Sequence, residues 1–495
     1  MTQALPLRNK VAYGLGQLGE GIKNSSFEAF LLFYYNQVLG VSGTLAGLAI
    51  LIALLFDAFL DPLVGSISDA YRSSWGRRHP FMYAGAVPFG VLFYFVFAPP
   101  AGLSERELFL WLTGSAILVR FAMAVYLIPH NALGAELSAD YHERTSIGGW
   151  RIFFGLIGGF ATALLGFGVF FRDTPENPFG QRNLAAYPKF AAFFAVVATI
   201  AVLWSALGTQ SRIKHLVPPA HRPEKLSFTR LFHELRESLQ SPSFRALFVG
   251  TLVFFVTRGM QTSLGLHLST HFWELSSVEI RDLNVINVFG LVIGVGCWGA
   301  LSRRLDKKPT FLAGVAVFSV FIVAGPVLKL LGIWPDHANE AAYMGLLGAF
   351  GFLASFGGGG ALISAASMMA DLTDEHEFET GRRQEGIFFG ALAFSGKASS
   401  GLGNFIAGSA LDWIGFPENA ARGSVPPDVV HHLGVIYGPG TIVILVLGAL
   451  YFGRYRLTAA RVAEIQKVLE QRRTAVDQVV PVVAPSKIST GFGDS

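Results

Sequence analysis

Twelve long apolar runs dominate the sequence, near 11–39, 43–70, 80–99, 106–132, 148–172, 188–208, 244–273, 282–302, 309–333, 340–372, 384–413 and 431–457. Each reaches the roughly 20 residues that a helix needs to cross a bilayer. The runs are continuous and lack the strict alternation of barrel strands. In lipid, such a run satisfies its backbone as a helix. Only 15% of the 495 residues are charged, against about 25% in a soluble domain, so a soluble core could not hide this much apolar surface. The expected fold is therefore an all-α membrane protein with twelve transmembrane helices. No small-residue cleavage site follows the first run, and no removable signal peptide is expected. Cys297, the single cysteine, lies within an apolar run and is expected to be a buried packing residue.

The basic residues do not form a nucleic-acid patch. They recur in every second loop: Arg72, Arg77 and Arg78, then Arg212 through Arg236, then Arg303, Arg304, Lys307 and Lys308, then Arg382 and Arg383. By the positive-inside rule both termini are cytoplasmic, in the cell's inner (plasma) membrane. Loop 5–6, with Arg172, Arg182 and Lys189, is the exception. The chain also repeats itself. Ala135-Glu136-Leu137 and Ala370-Asp371-Leu372 lie 235 residues apart, as do Ile152-Phe153-Phe154 and Ile387-Phe388-Phe389, and Lys23 and Arg258. Helices 1–6 therefore read as duplicated in helices 7–12, giving two pseudo-symmetric six-helix bundles with a site between them. The boundaries are 1–208 for the first bundle, 209–243 for a cytoplasmic linker with an interfacial helix, 244–457 for the second bundle and 458–495 for a cytoplasmic tail. Within the tail, 458–473 reads as a polar helix and 474–495 as disordered.

Gly65-Ser66-Ile67-Ser68-Asp69 followed by Gly76-Arg77-Arg78 resembles the loop 2–3 signature of the major facilitator superfamily. Phe56-Asp57-Ala58-Phe59-Leu60-Asp61-Pro62 is similar to the helix 2 motif of its glycoside–pentoside–hexuronide:cation symporters, of which the melibiose permeases are the best-known members. Tyr13-Gly14-Leu15-Gly16, Arg144 through Arg151, and Asp371 through Arg383 with Lys397 extend the likeness over about residues 8 to 455. The resemblance implies cation-coupled uptake, usually of sugars, by alternating access. It implies that Asp57 and Asp61 bind the coupling cation, that Arg151 contacts substrate and that Lys397 connects helix 11 to the cation site. Gly21, Tyr126 and His130 depart from it. They stand where melibiose permeases have two sugar-binding aspartates and a stacking tryptophan, so the galactoside-binding set is absent. Leu60 and Met123 stand where those proteins have an asparagine and a threonine near sodium.

Ionisable side chains inside a membrane are costly and mark function. Asp57 and Asp61 are spaced i, i+4 on one helix face, and so close a pair would share a proton or hold a cation. Pro62 leaves the carbonyl of Ala58 without its helical partner. The alternative reading is that Asp61 caps a kink and Asp57 pairs with a lysine for structure. With Leu60 and Met123 supplying no oxygen, the expected coupling ion is H+ rather than Na+, and no cofactor is expected. Glu20, Asn24 and Glu28 share one stripe of helix 1, with Lys23 beside it; Arg258 and Gln261 lie on helix 7. Lys23 and Arg258 are expected to bind an anionic group, or else to be neutralised internally. Tyr126 and His130 on helix 4 and Arg151 on helix 5 complete the candidate substrate set. His130 is equally readable as a packed residue. At the cytoplasmic helix ends Asp69, Glu136 and Asp371 lie among Arg77, Arg144 and Arg382, an arrangement that can pair in one state and separate in the other.

The expected function is symport of a small polar solute, a glycoside or anionic sugar, by a protein that works as a monomer in the lipid bilayer and binds no nucleic acid. The alternative is a carrier of lysolipids or other amphipathic solutes, since an aromatic content of 13% could line an amphipathic cavity. No nucleophile–base or metal-ligand spacing supports an enzyme, and no Walker motif supports direct use of ATP.

Overall fold

The computed structural model describes residues 5–138, 140–175, 177–215, 236, 239–302, 304–381, 385–420 and 423–479. Most of the expected linker with its interfacial helix, and Arg382, lie outside the described residues. The described chain is helical: α1 (Leu7–Ser26), α2 (Gly43–Ala70), α3 (His79–Val96), α4 (Glu105–Glu136), α5 (Tyr141–Leu165), α6 (Ala186–Gln210), α7 (Pro242–His267), α8 (Ser277–Leu301), α9 (Lys307–Leu330), α10 (Glu340–Thr380), α11 (Glu385–Trp413), α12 (Pro427–Phe452) and α13 (Ala459–Val479). π-helical turns at Phe27–Leu31 and Tyr34–Val38 prolong α1, and one at Gly166–Phe170 prolongs α5.

Helix starts follow the local sequence. Ser104 with Glu107, and Ser276 with Glu279, form capping boxes at α4 and α8. Asp140 and Asp306 cap α5 and α9. Ten of the helices are long and apolar enough to cross a membrane, among the described residues. Of the twelve expected spans, the first and eleventh, α1 and α11, fall short. For α1 the physical reason is plain, because Glu20, Lys23 and Asn24 dilute its apolar character.

Within the first six helices, α1 packs on α5 and α6, α2 on α4, and α3 on α4 and α6. Among the last six, α7 packs on α11 and α12, while α8 and α9 both pack on α10. The two sets meet unevenly. Along one side α2 runs against α11, and glycine permits the approach. A Cβ added at Gly408 would lie 1.8 Å from the Gly43 carbonyl oxygen, and one at Gly47 would lie 2.7 Å from the Asn404 carbonyl oxygen. Without a hydrophobic drive between helices in lipid, such close backbone packing carries the association. On the other side α5 and its π-turn touch α8 near the ends of those helices, where Gly168 faces Arg281.

The face carrying Arg72, Arg77, Arg78, Lys307 and Lys308 is the basic face. At the opposite face polar contacts cross between the sets. The Asp412 carboxylate accepts from the backbone N–H groups of Gly43 and Thr44, each at 2.8 Å. Asp173 accepts from the N–H of Ser277 at 2.9 Å, and Gln37 donates to the Pro417 carbonyl at 3.1 Å. This face is closed.

Two expectations are corrected. Cys297 is exposed on α8. Residues 474–479, read as disordered from composition, continue α13. That helix docks on the extended end of α10: Ile465 and Leu469 are buried, Gln466 donates to Asp374 at 3.0 Å, and Arg472 donates to the Phe378 carbonyl at 3.2 Å.

Gly408→Ala places a methyl group inside the Gly43 carbonyl and is expected to part α2 from α11 at the closed face. In a Cys297→Ser background, a Gln37→Cys thiol, buried at that face, should then react faster with a membrane-impermeant reagent; an unchanged rate would show that the glycine seam is dispensable.

Candidate functional site

The charged residues of α2 sit one turn apart on one face, and the fold brings three cations toward them. Lys397 of α11 reaches Asp57 at 3.0 Å and ion-pairs with Asp61 as well. Arg120 of α4 lies 3.4 Å from Asp57, its guanidinium 5.3 Å over the ring of Phe27. Lys23 of α1 is buried within electrostatic reach of Asp57, Arg120 and Lys397. Asp57 is buried, whereas the side chain of Asp61 keeps 28% of its exposure. The Lys397 pairs tie the two sets of helices together at mid-membrane. Protonating either carboxylate removes part of what holds Lys397, so the cluster can convert a proton or cation into a change in the α2–α11 contact. A buried charge stripped of its partner costs several kcal/mol, so these groups neutralise or find new partners together.

Next to the cluster lies a cavity of about 900 Å³ between the two sets of helices. Glu20, Asn24 and Glu28 line it from α1, Arg151 from α5, and Arg258 and Gln261 from α7. Arg151 donates to the Asn131 side-chain carbonyl at 2.7 Å, and Gln261 lies 3.4 Å from the Thr441 hydroxyl. The cavity therefore holds two guanidinium groups from opposite walls and a row of carboxylates and amides.

Lys23, Tyr126 and His130, expected on this wall, are not on it. Lys23 sits one position off the 20/24/28 stripe, about 100° around the helix, and points into the charge cluster instead. Tyr126 is fully buried, its hydroxyl filling the space left by Gly16. His130 stacks on Tyr13 at 4.3 Å and bonds the Tyr13 carbonyl through Nε2 at 2.9 Å. Both serve the packing of α1 on α4.

At the basic face, the charges pair within one set of helices. Glu136 ion-pairs with Arg77 at 3.0 Å and accepts from Arg78 at 2.8 Å, and Arg78 also pairs with Asp69. Asp371 pairs with Lys307 at 2.6 Å, and Arg144 donates to the Ser138 carbonyl at 2.7 Å. Among the described residues, no ion pair joins the two sets there.

Sequence reasoning missed Arg120 as a partner of Asp57, and Arg78 and Lys307 as gate-face partners. It also missed the α8 wall, where Asn284 and Asn287 face the cavity. Two asparagines three residues apart in an apolar run were a legible signal, because that spacing shares a helix face.

Arg120→Leu should destabilise the protein by about 3 kcal/mol, the low end for breaking a buried pair, because Asp57 retains Lys397. The double variant Asp57→Leu/Arg120→Leu should recover most of that loss. Unfolding free energies of the purified variants would check both.

A family model described as MFS/sugar transport protein matches residues 12–459. A Salmonella typhimurium protein provisionally named a sulfoquinovose importer is 25% identical, covering 99% of this chain and 98% of its own. The glucuronide carrier protein homolog of Escherichia coli is 23% identical, over 97% of this chain and 99% of its own. Among solved structures, the nucleoside transporter NupG aligns with a TM-score of 0.63 at 13% identity, over 90% of this chain and 99% of its own. A D-xylose–proton symporter aligns with a TM-score of 0.58 at 15% identity, over 90% of this chain and 96% of its own. These likenesses, together with the helical architecture and the Asp57–Asp61 motif, lead to one assignment. The chain belongs to the MFS/sugar transport family, in its glycoside–pentoside–hexuronide:cation symporter branch, and is a multi-pass secondary symporter of sugar-like solutes, not an enzyme.

Proposed function

We propose that this protein couples the entry of protons to the uptake of an anionic sugar-like solute. The observation that carries this reading is the position of Lys397, whose ammonium occupies the space between Asp57 and Asp61. A proton needs only to neutralise one carboxylate to loosen that lysine. Sodium would need a shell of oxygen ligands, as hard cations do, and the neighbouring Leu60 and Met123 offer none. The coupling roles fall to Asp57, Asp61 and Lys397, with Arg120 pairing with Asp57; no cofactor takes part.

Arg151 and Arg258 bind the anionic group, each capable of a bidentate contact. Glu20, Asn24 and Gln261 take its hydroxyl groups. The relatives whose names refer to sulfoquinovose and glucuronide support a sugar bearing an acid group. With the basic face in the cytoplasm, as the positive-inside rule requires, both termini are cytoplasmic in an inner membrane. The state described above is then inward-facing. Outward opening would undo the contacts of Asp412 and Asp173, and would bring Asp69, Arg77, Glu136 and Arg144 of the first half against Asp371 and Arg382 of the second across the basic face. The halves 1–208 and 244–457 move as units about the linker 209–243, with the tail 458–495 carried by the second half, in a monomer that binds no nucleic acid. The second reading, an amphipathic-solute carrier, draws on one feature, the apolar wall that α8, α9 and α10 give the cavity.

In proteoliposomes without sodium, an inwardly directed proton gradient should accumulate methyl β-D-glucuronide. Asp57→Asn should abolish that accumulation while leaving solute exchange in place. Uptake that needs sodium and ignores pH would overturn the proton assignment. Arg258→Ala should weaken binding of the uronide at least about tenfold, the loss of one charge-assisted contact; binding left unchanged would remove Arg258 from the solute site.

A further inference from the structure

Lys23 stands outside the ion pairs of the charge cluster. It is 4% exposed, and among the described residues its ammonium makes no hydrogen bond and no ion pair. The charges that face it are Asp57 of α2, Arg120 of α4 and Lys397 of α11, with Glu20 one turn back on its own helix. Glu28, on the π-turn that prolongs α1, acts on Arg120. The ionisable residues of α5, which packs on α1, lie elsewhere: His142 in its first turn, Glu143 with Lys10, Arg144 with the Ser138 carbonyl and Arg151 with Asn131. The other neighbour, α6, carries only Lys189, in its first turn.

The cluster is divided unevenly between the halves. Asp57, Asp61, Arg120 and Lys23 all belong to the first six helices, and Lys397 is the member that the second six supply. Relative motion of the halves therefore changes a single charge. With Lys397 withdrawn, Lys23 and Arg120 balance Asp57 and Asp61. With Lys397 seated, as here, the cluster holds one cation more than its carboxylates match. Glu20 and Glu28 line the cavity rather than the cluster. An unmatched charge at this depth is costly, so the seated state balances only when one positive charge leaves. Arg120 cannot give it up, because a guanidinium keeps its proton, and Lys397 is held by both carboxylates. Lys23 is the remaining cation, and a lysine can release a proton. Asp57 is buried and off the cavity wall, whereas Glu20, within reach of Lys23, is on it.

We infer that Lys23 and Asp57 hold the transported proton between them, and that the seating of Lys397 at Asp57 expels it through Lys23 and Glu20 into the cavity. In the outward-facing state, with Lys397 withdrawn, the pair takes one proton from outside and is neutral as a unit. In the state described here Asp57 keeps its negative charge, met by Arg120 and Lys397, and the Lys23 amine has passed its proton to the Glu20 carboxylate and from there to water. One proton enters and one leaves in each cycle. The inference rests on the proton coupling proposed above and names the group that gives the proton up.

The test needs no solute. In the full-length protein in lipid nanodiscs, Gln37→Cys in a Cys297→Ser background reports opening of the closed face. Its alkylation rate at each pH is divided by that of the same thiol in denatured protein. With Lys23 in place the normalised rate should rise as the pH falls, because protonation of the pair releases Lys397 and favours the outward-facing state. Lys23→Arg, with its permanent charge, should give the high rate at every pH. Lys23→Gln, which carries no proton, should stay at the low rate across the pH range in which the parent responds. The two substitutions move the reporter in opposite directions, which a loss of packing would not do; where one does not fold, the other decides. Variants that follow the parent's pH profile overturn the assignment to Lys23 and leave proton coupling standing. Variants that both raise the rate alike make Lys23 a structural residue and overturn it as well. A parent rate indifferent to pH overturns the proton coupling beneath it.

Discussion

Burying ionised groups in a membrane imposes a demand that the rest of this protein meets. Asp57 cannot stand alone at mid-membrane, because an unpaired buried carboxylate is too costly. Arg120 supplies one partner from within the first six helices, and Lys397 supplies another from the second six. The second pairing requires α2 and α11 to lie close along their length. Gly43, Gly47 and Gly408 make that possible, since any side chain at these positions would collide with the facing backbone. The charge cluster and the glycine seam are thus one device: the seam brings the lysine into range, and the ion pairs make the approach worthwhile.

The seam occupies one side of the molecule, and the cavity opens beside it. Where α2 and α11 are tightly joined, α5 and α8 meet only near the closed face, so space remains between α1 and α5 on one wall and α7 to α10 on the other. The polar contacts that close one face cross between the sets, whereas the ion pairs described at the basic face, Glu136 with Arg77 and Asp371 with Lys307, each stay within a set. The two faces therefore differ in how the sets of helices meet. The carboxylates lie between the two faces, paired with Lys397 across the sets.

Helical periodicity decided what could be read of the site. Glu20, Asn24 and Glu28 repeat every four residues and do line the cavity together. Lys23, next in sequence to Asn24, points elsewhere, since adjacent residues on a helix face in different directions. Tyr126 and His130 were assigned to the wall because their positions correspond to solute contacts in related proteins. Here their rings lie against Tyr13 and behind Gly16, and the space a ligand would need is filled by protein. The apolar wall that α8, α9 and α10 give the cavity was illegible for another reason. A phenylalanine in a spanning helix is equally at home against lipid, another helix or a solute, and only the packing of α8, α9 and α10 separates Phe350 from its many counterparts on the lipid face.

The sequence by itself determined the membrane as solvent, the helices and their approximate ends, the duplication, the family and the carboxylate pair. Hydropathy, helix caps and i, i+4 spacing are local properties, and each is written within a few turns of chain. The tertiary structure decided which cations reach Asp57 and Asp61, which face is closed, which stripe of each helix meets the cavity and where α13 docks. Those outcomes depend on contacts between residues hundreds of positions apart, such as Asp61 with Lys397 and Gly43 with Gly408. Such contacts are set by how the helices rotate and approach, and no single segment encodes that.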